Sequence, residues 1–574
     1  MSAYYHRWLR VGVVLSIVFF LMLHLPVSAE ETGCASAASA TSDSIPEPIQ
    51  YARQRPQWDV SSGFGSYGGE FTLADTPRRA VDIQCLPRRP LLGTELYYIE
   101  RSAEQEQAWL RELQFDVLRI EVMAEEIEGS RNDDGDPRTS FDGWTAADFA
   151  QRGWRLGDPE YSVANIMQYI GAQGLVRYPY MMMMHYGGEP WMGNLPNSED
   201  YAEYVLATIY YYNVVQGANI KYWEILNEPD WGYGDDGQIA SPEVYAEIFR
   251  RVAERVKAHP DPRVNSVRLG GPVLGSGDPI DGDFPTGFAN AFSDGERFWR
   301  SYIPTLLAHG SRPGAFDIGF LSWHDYGSDT WDAANNIYQL ENTYALYNRV
   351  RAMQQLAAGY EQASGAALPL IVSEFNLAAG KTLPQTKEYY KNFYAALWHT
   401  SALNNYLASG RLTMLFPFFW KGDNYWPKSF IYRDSDSGDE LVRNPLWWAY
   451  REYIRYLGDR ILAAQNGTQD RWLDVIVTTE EDGKALYVIV VNKSDIHREV
   501  TLTFDAPSEI NGEVFVSKQI MRAGGDGPFG APFAEPHLAA VYNNQPIQLD
   551  GGRQIRYADS IPPRQIVYYR IVKP

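Results

Sequence analysis

Lys221-Tyr222-Trp223-Glu224-Ile225-Leu226-Asn227-Glu228-Pro229 is an apolar run that ends in a carboxamide, a carboxylate and a proline. Proline has no N–H to give to a strand ladder, so the run reads as a strand that stops there and leaves Glu228 at its C-terminal end. Pro369-Leu370-Ile371-Val372-Ser373-Glu374-Phe375-Asn376 repeats the arrangement about 146 residues later. An acid closing such a run is costly unless it is solvated, paired or put to use. Taken singly, each is either an ordinary surface or salt-bridged glutamate or part of a site.

Outward from these two segments, short apolar runs alternate with stretches of helical period from about Trp58 to Leu462. Strands are expected near Asp116–Met123, Val176–His185, Ile220–Asn227, Val267–Val273, Phe316–Asp325, Pro369–Asn376 and Leu412–Trp420. The Gly63-Phe64-Gly65 region supplies an eighth, placed first. Helices are expected over Ala103–Gln114, Val163–Gly174, Ser198–Gln216, Ser241–His259, Asn335–Gly359, Lys387–Ala408 and Asn444–Leu462. This pattern fits an α/β chain folded as a (β/α)8 TIM barrel over residues 57–462, with Glu228 and Glu374 ending strands 4 and 7 at the rim where barrels place functional groups. An open doubly wound sheet is the alternative; no Gly-x-Gly-x-x-Gly opens a helix after a strand.

Beyond Leu462 the alternation changes to period two between Asp, Gly, Asn and Pro turns, over Leu473–Thr478, Ala485–Asn492, Glu499–Phe504, Gly512–Val516 and Gln565–Ile571. Residues 463–574 therefore read as a C-terminal β-sandwich domain, with carbohydrate binding as a secondary possibility. No repeat of fixed period runs through the chain.

The other end carries His6, Arg7 and Arg10, an apolar run from Val11 to Leu25, and Val27-Ser28-Ala29. That is the grammar of a signal peptide over 1–29, which predicts a secreted or extracytoplasmic protein with no stable membrane insertion after cleavage. The run falls short of the ~20 residues a spanning helix needs. Residues 30–56, rich in Ala, Ser, Thr and Pro, read as a flexible leader. Cys34 and Cys85 are the two cysteines; a bridge between them and two free thiols are both open.

Among 574 residues the net charge is −22, which argues against nucleic acid as a partner. Aromatic residues make up 14%, with 17 Trp and 39 Tyr; such rings either pack a core or stack on the apolar faces of sugars. Asp133-Asp134-Gly135-Asp136 and Asp434-Ser435-Asp436-Ser437-Gly438-Asp439 have calcium-like composition, but neither completes a twelve-residue loop with a terminal Glu, so both read as solvated loops. No metal or cofactor is expected.

Paired carboxylates suit one chemistry in particular. A glycosidic oxygen leaves poorly without a proton, and the oxocarbenium-like transition state needs a negative partner across the ring. Together, the two strand-terminal acids make the chain resemble glycoside hydrolase clan A, over roughly Trp58 to Leu462. The resemblance implies that Glu228 is the acid/base, that Glu374 is the nucleophile, and that Asn227 bonds the sugar's 2-hydroxyl. It extends to Asp116-Val117-Leu118-Arg119-Ile120, where Arg119 would orient the nucleophile, and to Ser322-Trp323-His324-Asp325-Tyr326, which would supply His324 and Tyr326. Trp420, in Phe418-Phe419-Trp420, falls where strand 8 offers a stacking platform. His185 and Trp191, after strand 3, are further candidates for touching substrate. Leu269-Gly270-Gly271-Pro272, the His324-Asp325-Tyr326-Gly327 run and the Asn444-Pro445-Leu446-Trp447-Trp448 helix start most resemble family 39, while Ser62-Gly63-Phe64-Gly65 is similar to family 30. The expected activity is retaining hydrolysis of β-glycosidic bonds in an oligosaccharide or polysaccharide, β-xylosidase-like or endo-acting. A catalytically silent carbohydrate-binding protein on the same fold and a metal-dependent barrel hydrolase are the competing readings.

Overall fold

In the computed structural model, residues 1–66, 73–85, 97–103, 124–138, 158–165, 167–180, 186–197, 230–240, 276–295, 312–315, 328–339, 341–342, 378–388, 423–428, 435–439, 466–469, 508, 550–553 and 574 lie outside the description. The signal, leader and cysteine expectations, and the expected helix Val163–Gly174 apart from Ile166, fall there.

Eight parallel strands close into a barrel: β1 Leu91–Leu96, β2 Val117–Met123, β3 Met181–His185, β4 Tyr222–Ile225, β5 Arg268–Leu274, β6 Phe320–Tyr326, β7 Leu370–Asn376 and β8 Leu412–Pro417. Leu91 and Leu92 pair with Met414 and Leu415, which shuts the ring. The expectation for the first strand is corrected, since β1 begins at Leu91 and not near Gly63-Phe64-Gly65. Its sequence hid it, because Gly93 and Glu95 face inward and break the apolar signature. Gly93 is required by closeness: a Cβ there would lie 2.5 Å from the Val117 carbonyl oxygen and 2.6 Å from the Phe416 ring.

The helices cover the barrel with their apolar stripes. Pro242–Ala258 starts with Ser241 accepting from the Val244 N–H and then Pro242, a capped N-terminus on an amphipathic run. Glu296–Gly310, which patterning missed, follows β5 despite carrying Pro304. Phe393–Ala408 is buried along almost its whole length, all residues from Phe393 to Leu407, because it is covered on both sides. Among the described residues no helix is long and apolar enough to cross a membrane.

What covers the outer side of Phe393–Ala408 is the C-terminal module. Its strands are β9 Arg460–Gln465, β10 Leu473–Thr479, β11 Ala485–Asn492, β12 Arg498–Asp505, β13 Glu513–Arg522, β14 His537–Gln548, β15 Gln554–Ile561 and β16 Gln565–Val572. Six form one sheet in the order β9-β10-β11-β16-β13-β14. The other sheet joins β12 and β15 to Tyr67–Thr72, which runs parallel to Arg498–Thr503, so a segment ahead of the barrel pairs into the C-terminal module. Strands β10 and β11 are buried at every residue. One face, with Val475, Val477, Val488 and Val490, packs with Val500, Leu502 and Phe504 of the smaller sheet. The other, with Ile476, Ile489 and Val491, joins the core around the barrel.

Candidate active site

The barrel interior is layered. Val117, Phe320, Ile371, Met414 and Phe416 fill the bottom with apolar volume, all buried. Glu95 of β1, Arg119 of β2 and Glu224 of β4 are fully buried with it, and the Arg119 Nε donates to the Glu224 Oε2 at 2.8 Å.

At the end of β4 the chain leaves strand geometry through left-handed residues, with φ of 65° at Leu226 and 46° at Glu228, while Val273 of β5 sits at 55°. For bulky residues each such conformation costs on the order of 1–3 kcal/mol, and the surroundings must hold it. They do so with three tyrosines from three helices. The Leu226 N–H donates to the Tyr201 hydroxyl at 2.9 Å, the Tyr245 hydroxyl donates to the Ile225 carbonyl at 3.1 Å, and the Tyr302 hydroxyl donates to the Pro229 carbonyl at 3.2 Å. The Glu228 N–H donates to the Val273 carbonyl at 2.9 Å. The resulting turn carries Glu228 to the mouth, where its side chain keeps 21% exposure. Gly275 makes room for it: a Cβ there would come within 2.6 Å of the Glu228 carboxyl carbon.

Glu374 reaches the same place by a different device. Trp323 pairs with Val372 but His324 pairs with Glu374, so Ser373 is an extra residue, a bulge in β7. Bulges re-aim side chains, and this one turns Glu374 inward while Phe375 packs outward against His399 and Tyr406. Arg119 Nη1 donates to Glu374 Oε1 at 2.7 Å, and the Tyr326 hydroxyl donates to Glu374 Oε2. The Asn227 carboxamide oxygen accepts from Arg119 Nη2 at 3.1 Å. His324, fully buried, lies between the acids, with Nδ1 2.7 Å from Glu228 Oε1 and Nε2 3.2 Å from Glu374 Oε1.

Electrostatics follow from this crowding. Burial works against the Arg119 charge, yet the carboxylates around it, Glu224 foremost, outweigh it and push the guanidinium above the ordinary arginine value. Burial, reinforced by the charges of Glu374 and Glu228, pushes the Tyr326 phenol well above its usual value, so it stays a hydrogen-bond donor. Glu228, His324 and Glu374 each offer an atom within 4.8 Å of the others, a spacing that a cation could also use. Both imidazole nitrogens face carboxylate oxygens, those of Glu228 and Glu374.

Of the residues singled out in the sequence, Arg119, Asn227, Glu228, His324, Tyr326 and Glu374 thus converge. Trp420 does not, and this expectation is corrected. It is fully buried, with Nε1 donating to Glu106 Oε1 at 2.9 Å on the outer helix Glu104–Leu113. The alternation that turns Met414 and Phe416 into the barrel carries on to Phe418, whose ring centre lies 6.2 Å from that of Tyr326, and is lost before Trp420. His185 is the last residue of β3, opposite Met123; its side chain, and Trp191 entirely, lie outside the described residues. Sequence reasoning missed Glu95, the role of Glu224, the three tyrosines, Gly275 and Phe418. Only Glu224 had a local signal, an acid inside an otherwise apolar run.

No protein-family model matches the chain, and no curated protein matches its sequence. Solved structures do resemble it. An α-L-arabinofuranosidase from Thermotoga maritima, in its arabinose complex, aligns with TM-score 0.56 and 14% identity over 88% of this chain and 100% of its own. A bacterial orthologue of human α-L-iduronidase aligns with TM-score 0.55 and 12% identity over 88% of this chain and 84% of its own. A glucosidase from Croceicoccus marinus aligns with TM-score 0.53 and 13% identity, over 89% and 100%. At such identities the likeness speaks for architecture, and the chain shares the barrel fold of these solved glycosidases.

Proposed function

We propose that the chain is a retaining glycoside hydrolase in which Glu374 is the nucleophile and Glu228 the acid/base. The observation that carries this reading is the approach of the two carboxylates, with oxygens within 4.8 Å of each other across the barrel mouth. Retaining enzymes hold their pair at about 5–5.5 Å, whereas inverting ones need about 6.5–9.5 Å to admit a water. Their surroundings differ in the sense the roles require. Glu374, 5% exposed at its side chain, is gripped by a guanidinium and a phenol, which fix its orientation. Glu228, more exposed, has room to trade a proton.

In the first step Glu374 attacks the anomeric carbon while Glu228 protonates the departing oxygen; in the second, Glu228 takes a proton from water, which displaces Glu374. Asn227, fixed by Arg119, is placed for the 2-hydroxyl, and Phe418 and Tyr326 offer aromatic surface nearby. The substrate class is an oligosaccharide or polysaccharide with a β-glycosidic bond, met outside the cytoplasm after residues 1–29 have directed export. Family 39 is the assignment favoured by the Leu269–Pro272, His324–Gly327 and Asn444–Trp448 motifs. Because resembling structures are named for α-L-arabinofuranosides and iduronides, aryl glycosides of those sugars belong in the screen beside β-xylosides.

Product analysis by NMR on the first turned-over substrate should show the starting anomeric configuration retained. Glu374→Gln should abolish turnover with the fold intact, and Glu228→Gln should cost about 10²–10⁴ in kcat where the leaving group is poor. An inverted product, or a fully active Glu374→Gln protein, would sink the reading.

A further inference from the structure

Glu95 has no part in the two-step chemistry, yet it sits directly beneath it. Its Oε1 lies 2.8 Å from Arg119 Nη1, the same nitrogen that binds Glu374 Oε1 at 2.7 Å. Glu95 and Arg119 are both fully buried, and the layer below is Val117, Phe320, Ile371, Met414 and Phe416. Among the described residues neither Glu95 oxygen accepts a hydrogen bond of good geometry. Around it stand Arg119 and Glu121 from β2, Glu224 from β4, Tyr326 from β6 and Glu374 from β7.

One guanidinium therefore faces three carboxyl groups, Glu95, Glu224 and Glu374, out of water. A single guanidinium cannot neutralise three carboxylates in a medium of low dielectric, even with His324 3.2 Å from Glu374, which favours a proton on at least one of the acids. Geometry selects which. Glu224 accepts a 2.8 Å hydrogen bond from Arg119 Nε, and Glu374 accepts from both Arg119 and Tyr326. Glu95 accepts none.

We propose that Glu95 is held as a neutral carboxylic acid under the nucleophile, a positioning residue that fills the space beside Arg119 without competing with Glu374 for its charge. Burial raises the Glu95 pKa well above the ordinary carboxylate value; Arg119 offsets part of this, and the charges of Glu374, Glu121 and Glu224 add to it. The role rests on Glu374 being the nucleophile. Had Glu95 been an anion, Arg119 would be divided between two carboxylates at one nitrogen, and Glu374 would lose orientation.

The test combines infrared spectroscopy with kinetics on the full chain. At neutral pH, the difference spectrum of wild type minus Glu95→Gln should contain the carbonyl stretch of a protonated carboxylic acid, shifted by carbon-isotope labelling of glutamate. Glu95→Gln, a neutral isostere, should keep kcat within about 3-fold of wild type, whereas Glu95→Ala should lower kcat by about 10- to 100-fold with KM little changed, because a loosened Arg119 misplaces Glu374. Absence of the band, or a Gln variant as impaired as a nucleophile mutant, overturns the proposal. The Gln arm and the spectrum decide it even if the Ala variant does not fold. A fully active Glu374→Gln protein would remove the foundation on the catalytic side while leaving the band in place, so the two failures are told apart.

Discussion

Arg119 donates at once to Glu224 of β4, Asn227 in the turn after it, and Glu374 of β7. A residue with this many partners cannot be judged from its own neighbours in sequence; in Asp116–Ile120 only the resemblance to clan A gave Arg119 a role, that of orienting the nucleophile. Tyr326 is the simpler case. Its hydroxyl donates to Glu374, and a hydrogen bond to a charged group contributes about 1.5–3 kcal/mol. Tyr326→Phe should therefore lower kcat/KM by about 10- to 150-fold with little loss of stability, measured by steady-state kinetics beside a thermal melt. The pH dependence has a definite sign. Since burial and Glu374 raise the phenol's pKa, the neutral donor persists through the alkaline range, and Tyr326→Phe should leave any alkaline limb below about pH 10 where it was. An alkaline limb that vanishes in the variant would contradict that placement.

Strands and helices place the residues by departing from regularity. The bulge at Ser373 and the left-handed Leu226 and Glu228 are what bring both acids inward, and period-two reading over these strands cannot see either. Trp420 was misplaced for the same reason, because the alternation that holds from Met414 to Phe418 is lost before Trp420. The first strand was missed on composition, as Gly93 and Glu95 do not look like barrel interior. Gly93→Ala tests how tightly that strand is held: its methyl would meet the Val117 carbonyl and the Phe416 ring, and overpacking of this kind costs typically 1–3 kcal/mol. A lowered urea midpoint with unchanged slope is the expected result, whereas an unshifted midpoint would show that β1 moves away freely.

For the whole molecule, the decisive contact is between the barrel and the C-terminal sheet. Lys493 Nζ lies 2.9 Å from Asp474 Oδ2, both fully buried, and donates to Thr343 Oγ1 at 2.8 Å. Asp474 also accepts from Asn405 Nδ2 at 3.0 Å and from Ser401, both on the helix Phe393–Ala408. Burial raises the Asp474 pKa, and Lys493 and these hydrogen bonds pull it back. Lys493→Met strands a buried carboxylate and should cost about 3–5 kcal/mol, much of it recovered by adding Asp474→Leu. With a folded-state pKa above the unfolded one, this group's contribution is full below the unfolded value and is lost as pH rises through the folded value. The Lys493→Met deficit should accordingly be largest at neutral pH and shrink in acid, as denaturant titrations at two pH values would show. A deficit that grows in acid would contradict it.

The sequence alone determined the periodicities, and with them the barrel, the later β-rich module, and the strand-ending acids Glu228 and Glu374; Arg119, Asn227, His324 and Tyr326 came from the resemblance to clan A. Those features are local: strand-length apolar runs, a proline stop, an acid at the end of each run. Tertiary structure alone decided the separation of the two carboxylates, the bridging place of His324, the three-way sharing of Arg119 with buried Glu95 and Glu224, and the exchange of Trp420 for Phe418. Each depends on ring closure bringing strands far apart in sequence to one axis, where burial strengthens charge–charge interactions that no local pattern encodes.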